Sequence, residues 1–186
     1  MKKTLIITLF ALMGLSAMAQ EKQETINWMS FEEAVERCAN EPRMVFIDVY
    51  TDWCGWCKRM DQSTFANPVI AKYMNEHFYA VKFDAERQDT ITFQGHDFVG
   101  LMRPDGRRGA HQLAQALLRG KMSYPSYVIM NEEMKAIQVI GGYQEAQQFE
   151  PMIHYFGDKA YKMMNGEDFL KDFKSKYLVL VNNYIN

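Results

Sequence analysis

Apolar residues recur every three or four positions at Phe31, Ala34, Val35 and Cys38, a spacing that lines one face of a helix. Ser30 opens this stretch with Glu33 three residues on, which predicts a capping box in which Ser30 caps the first turn and Glu33 reaches back. Pro42 ends the helix, since the residue before a proline avoids helical backbone. The period then changes. "MVFIDVYT" is a near-continuous β-branched and aromatic run, as in a strand buried on both faces, and Asp48 interrupts it. A helical stretch runs on to about Phe65, and a further helix begins with Asn67 as cap and Pro68 at its first position. "FYAVKFD" is a second strand.

Residues 86–121 are less regular. "ITFQGHDFVGLM" predicts two short strands around Gln94-Gly95-His96-Asp97, and Pro104-Asp105-Gly106 marks a turn. "AHQLAQALLRG" predicts a helix with Leu113, Ala116 and Leu117 facing in and Gly120 as its stop. "YPSYVIM" and "KAIQVIG" are strands joined through "NEEM" as a hairpin. The helix read in "YQEAQQFEPMIHYFG" requires Pro151 to sit in its first turn or to mark a break. The last segment begins helically and ends in a β-branched run with no assigned place. Two long strands separated by helices call for a parallel crossover, and the final two form an antiparallel pair. The fold class expected is α/β, a central mixed sheet flanked by helices.

Residues 1–19 join a cationic "MKK", an apolar run and an Ala17-Met18-Ala19 ending, the pattern of a cleaved secretory signal. The apolar run is about a dozen residues, short of the roughly 20 that span a bilayer. The expectation is therefore an exported, periplasmic protein with no stable membrane insertion after cleavage. Residues 20–27 read as a polar N-terminal arm. Without Lys2 and Lys3, 19 basic residues face 23 acidic ones, so no basic surplus points to nucleic acid.

Three cysteines are an odd number, which excludes a complete disulfide framework. Helical spacing turns Cys38 into the core as an inert thiol. Cys54 and Cys57 are separated by Gly55 and Trp56, where the strand ends and a helix starts. A helix start offers unpaired N–H groups and a positive dipole end, which stabilise a thiolate. Cys54 is thus the candidate nucleophile, exposed and with a lowered pKa, and Cys57 the shielded resolving thiol. A zinc site would need two further ligands, yet the chain has no second cysteine pair, and His77, His96, His111 and His154 are scattered. A static structural disulfide would close a very short loop and stabilise little.

"FIDVYTDWCGWCK" resembles the active-site segment of the thioredoxin superfamily. Asp48, Lys82, Tyr124-Pro125 and "GGYQEAQQF" match that family's buried acid, adjacent lysine, cis-proline strand and entry to the last helix. The Cys-Gly-Trp-Cys site is similar to exported thioredoxin-like proteins and to the C-terminal domain of the DsbD thiol:disulfide interchange protein. The resemblance covers residues 28–157, with 86–121 departing from it as an insertion before the cis-proline strand, and leaves 158–186 as a C-terminal extension. It implies a thioredoxin fold and a thiol–disulfide oxidoreductase without a cofactor or metal. Its partners would be protein thiols and disulfides, with an upstream membrane electron donor. By the same resemblance Cys54 and Cys57 carry the exchange, Asp48 accepts a proton from Cys57, and Lys82 modulates Asp48. Trp53 and Trp56 would form an apolar collar, and Tyr124 and Pro125 would dock the substrate chain. Gly-Trp between the cysteines, with no histidine there, points to a reductant. A disulfide oxidase or isomerase is the alternative, as is a non-catalytic module holding metal or protein through the pair. The arginines of the insertion receive no binding role.

Overall fold

The computed structural model describes residues 24–175. The chain enters through β1 (Trp28–Met29), α1 (Phe31–Asn40) and β2 (Met44–Tyr50). It continues through α2 (Gly55–Gln62), α3 (Pro68–His77) and β3 (Phe78–Asp84). A hairpin of β4 (Thr90–Phe93) and β5 (His96–Val99) precedes α4 (Gln112–Leu117). Next come β6 (Ser126–Met130), β7 (Ala136–Gly141), α5 (Ala146–Gly157) and α6 (Gly166–Asp172). The signal expected at residues 1–19 and the β-branched run at the C-terminus lie outside the described residues.

The main sheet has the order β1-β3-β2-β6-β7. β1, β3 and β2 are parallel, and β6 and β7 add antiparallel neighbours, the central mixed sheet expected. Alternation along β2 sends successive side chains to opposite faces. Val45, Ile47 and Val49 join Phe31 and Ala34 of α1 on one face, together with Leu113 and Leu117 of α4. Met44 and Phe46 join Met60, Ile70 and Phe149 of α2, α3 and α5 on the other. Asp48 shares the parity of Met44 and Phe46, so it projects into the second face.

Local signals explain most element ends. The Ser30 hydroxyl accepts from the Glu33 N–H at 3.0 Å, and the Asn67 side-chain Oδ1 accepts from the Val69 and Ile70 N–H groups at the start of α3. The reach-back expected of Glu33 is not made. Its carboxylate instead accepts from Arg37 one turn on, at 2.6 Å. The β4–β5 turn is tighter than the sequence suggests, because Gln94 and Gly95 both take positive φ, the geometry of a two-residue hairpin loop.

Two helix expectations change. In α4, Ala114 and Leu118 are buried and Ala116 is exposed. Buried His111 sets that phase: its Nδ1 accepts from the Leu113 N–H at 3.1 Å, and its other ring nitrogen lies 3.1 Å from the Asp89 carbonyl. In α5, Pro151 lies in the second turn of a continuous helix. Its missing N–H leaves only the carbonyl of Gln147 without a helical donor, and Gln147 is exposed, so water can serve that oxygen.

Candidate active site

Buried β2 ends at Tyr50, and a short turn carries the chain into α2. The Cys54 N–H donates to the Thr51 carbonyl at 3.0 Å, which closes that turn. Cys54 is the N-cap of α2, and its sulfur accepts from the Cys57 N–H at 3.0 Å. The two sulfurs are bonded to each other. Cys54 is only 6 % exposed and Cys57 2 %, so the first cysteine is nearly as covered as the second, which departs from the exposed Cys54 expected. The physical reason is this inward, N-capping placement of its sulfur in the oxidised pair. Cys38 is a free thiol in the opposite core, on the α1 face.

The tryptophans beside the cysteines face solvent, Trp53 at 66 % and Trp56 at 58 % exposure. Trp53 meets Tyr124 edge-on with ring centroids 5.8 Å apart, and its indole N–H donates to Glu86 at 3.1 Å. Trp56 lies 5.3 Å from Tyr143, with the Arg59 guanidinium over both rings. The Tyr124–Pro125 peptide bond is cis. Pro125 directly precedes β6, whose Ser126 pairs with Val49 near the end of β2, so the sheet brings this bond to the strand end that carries the cysteine turn.

Below the turn, Asp48 is 1 % exposed. Its Oδ2 accepts from Lys82 at 2.6 Å, while Oδ1 has no hydrogen-bond partner among the described residues. The pairing follows from register, since Asp48 and Lys82 are partners across β2 and β3. Burial pushes the Asp48 carboxyl up to about 6 against the opposing pull of Lys82. Burial lowers Lys82, but the carboxylates of Asp48 and Asp61 outweigh it and hold the ammonium above its ordinary value.

Asp61 and Trp28 are the members that the sequence reading missed. Lys82 is hydrogen-bonded to Asp61, which lies on α2 one turn beyond Cys57. Lys82 therefore ties the buried acid of the sheet to the cysteine helix. Its ammonium also lies 4.9 Å from the Trp28 ring, 5.2 Å from Tyr50 and 5.3 Å from Phe65. Helical spacing from Cys57 could have pointed to Asp61. No local signal points to Trp28, because only the β1–β3 pairing brings it near. Among the described residues no group of three His, Cys, Asp or Glu side chains is arranged to hold a metal ion, and no helix is long and apolar enough to cross a membrane.

Solved structures share this architecture. A DsbH oxidoreductase superposes with a TM-score of 0.50 at 17 % identity, over 75 % of this chain and 87 % of that one. A thioredoxin-fold protein from Helicobacter pylori gives 0.54 at 17 % identity, over 80 % and 87 %. At these identities the likeness establishes the thioredoxin fold. Human spermatogenesis-associated protein 20 is 27 % identical over 73 residues, 39 % of this chain and 9 % of that one. The chain thus aligns with about a tenth of the length of its curated relatives. The family model Thioredox_DsbH, described as "Protein of unknown function, DUF255", matches residues 15–156, most of the chain, and on that match the protein belongs to the thioredoxin-like DsbH family.

Proposed function

We propose that this protein is an exported thiol–disulfide oxidoreductase that reduces protein disulfides through Cys54 and Cys57. The observation that carries the proposal is a bonded cysteine pair at the N-terminus of a helix, with exposed tryptophans beside it and a buried carboxyl on the helix-facing side of the sheet. The DsbH oxidoreductase of the same fold is consistent with it.

In the dithiol form, the N–H groups at the start of α2 favour the Cys54 thiolate. That thiolate attacks one sulfur of a substrate disulfide. The substrate S–S bond breaks, a mixed disulfide forms, and the departing thiolate takes a proton from solvent. Cys57 then gives its proton to Asp48, whose unpaired Oδ1 is free to receive it. The Cys57 thiolate attacks the Cys54 sulfur and the mixed S–S bond breaks. The second substrate sulfur leaves as a thiolate that takes a proton from solvent, and Asp48 gives up its proton to solvent. Two electrons have passed to the substrate and the protein holds its disulfide again. Lys82 and Asp61 set how readily Asp48 accepts the proton. Trp53, Trp56, Tyr124 and Pro125 form the surface on which the substrate chain docks. An upstream dithiol donor at the membrane reloads the electrons.

The test is reduction of insulin by the dithiol form, followed by turbidity, together with a redox titration against glutathione. We expect catalysed precipitation and a reducing potential, and Cys57→Ser should accumulate mixed disulfides at Cys54. A potential in the oxidising range would reverse the direction of flow, and an inert Cys54 would end the proposal.

A further inference from the structure

The stretch between β5 and α4 reaches the cysteine turn through Arg108, and its backbone is tied down. Met102 and Arg108 form an antiparallel bridge, the Arg103 N–H donates to Arg107 at 2.8 Å, and the Gly109 N–H donates to Leu101 at 2.6 Å. At its base Gly100 lies flat against the preceding strand connection: a Cβ there would sit 2.4 Å from the Gln88 Cα. The main chain that carries Arg108 is therefore held in place, and its exposed side chain reaches out from that frame.

From that position Arg108 donates to Asp52 at 2.7 Å and to Asp84 at 3.2 Å. Asp52 is two residues before Cys54, and Asp84 pairs in register with Tyr50 at the end of β2. Glu86 holds the Trp53 indole on the same side and adds to the field on Arg108. Three carboxylates thus stand beside the Cys54 turn. Their negative potential reaches the neighbouring phenols. Burial, then Glu86 and Asp84, pushes Tyr124 up to about 12, and burial, then Asp84 and Asp52, raises Tyr50. Lys82 pairs with Asp48 and with Asp61, which lies on α2 one turn beyond Cys57, and Lys58 of α2 follows Cys57 directly.

We infer that Arg108 is a positioning residue for the Cys54 thiolate, setting a guanidinium against the carboxylates of Asp52, Asp84 and Glu86 on the Trp53 side of the disulfide. Without Arg108, Asp52 and Asp84 would lose their guanidinium partner beside the charge of Glu86. A thiolate forming there would be disfavoured, and the pair lacks an intervening histidine to offset them. The segment that departs from the thioredoxin pattern supplies the missing cation. Single exposed ion pairs count for little, but one guanidinium shared by several carboxylates forms a network, where such charges matter. This inference rests on the reading of Cys54 as the attacking sulfur.

The experiment is the pH profile of iodoacetamide labelling of the reduced protein, read at the Cys54 peptide by mass spectrometry at low salt. Arg108→Gln should move the midpoint to higher pH and slow labelling at pH 7 about threefold, with the plateau above pH 10 unchanged. Arg108→Lys should recover most of the loss, and Asp52→Asn in the Arg108→Gln background should bring the midpoint back. Arg107→Gln should leave the profile alone, because Arg107 pairs with Asp105, away from the cysteine turn. An unshifted midpoint in Arg108→Gln, or a lower plateau with the midpoint in place, would overturn the inference. The labelling profile does not depend on turnover. A parent protein that labels at Cys54 but never reduces insulin would sink the functional reading and still report on Arg108.

Discussion

At the residue scale the most informative side chain is Asp48. Its folded carboxyl titrates at about 6 against 3.8 for a free aspartate, so between those values the native protein holds a proton that the unfolded chain has lost. The stability from this group is complete below about pH 4 and is lost as the pH rises through about 6, a fall of roughly 3 kcal/mol. Asp48→Asn removes that slope. Denaturant melts should show the variant more stable than the parent at pH 7 and the two close at pH 4. The same variant should resolve mixed disulfides slowly at pH 7, whereas the parent slows only as Asp48 becomes protonated below about pH 6. Equal resolution rates at neutral pH would remove the proton-acceptor role. Cys38 offers the contrast. It is buried among Phe31, Ala34 and Val45, its sulfur donates to the Arg43 carbonyl at 3.4 Å, and burial pushes its thiol up. Cys38→Ala should lower stability by about 1–2 kcal/mol and leave insulin reduction unchanged. A large loss of turnover in a folded variant would make this third thiol a participant.

At the element scale, two glycines carry opposite expectations. Gly55 opens α2 between cap and first turn, and a Cβ there meets nothing within 4 Å. Gly55→Ala should be neutral or stabilise by a few tenths of a kcal/mol, since alanine favours the helix. Gly100→Ala would drive a Cβ into the Gln88 Cα and the Arg87 carbonyl, both rigid backbone. It should cost about 1–3 kcal/mol and displace the stretch that carries Arg108. Thermal melts of the pair, with the Cys54 labelling profile of Gly100→Ala, check both. A Gly100→Ala protein as stable as its parent would show that this base can shift. Elements with a strong period, such as α1 and β2, were legible in the sequence because one apolar stripe or run specifies them. The α4 phase was not, because it follows from His111 bonding back to Asp89 across the chain. Arg108 was hidden for the same reason. A charged residue on an exposed face has no periodic signature, and its partners become visible only when strands and turns meet.

At the scale of the whole molecule, what remains is whether residues 86–121 are an ornament on a complete thioredoxin-like domain. Their sequence interrupts the family pattern, and the paired β4 and β5 do form a separate two-stranded sheet. The core argues otherwise. Ile91, Leu113, Ala114, Leu117 and Leu118 are buried in the same cluster as Val45, Ile47 and Val49 of the central strand. Phe93 meets Phe31 of α1 edge-on with ring centroids 5.0 Å apart. The stretch therefore covers the sheet face opposite the Asp48 side, and removing it would expose apolar surface of β2 and β3 to water. Two measurements follow. Leu113→Ala, at a position 1 % exposed, should cost about 2–5 kcal/mol, the range for a large apolar truncation in a packed core. A chain in which residues 88–120 are replaced by a short glycine–serine linker should lose its cooperative thermal transition, while the full chain unfolds in one step. If the shortened chain melted cooperatively and its cysteines still exchanged with insulin, the segment would be dispensable to the fold, and its influence on Cys54 would reduce to the charge that Arg108 brings.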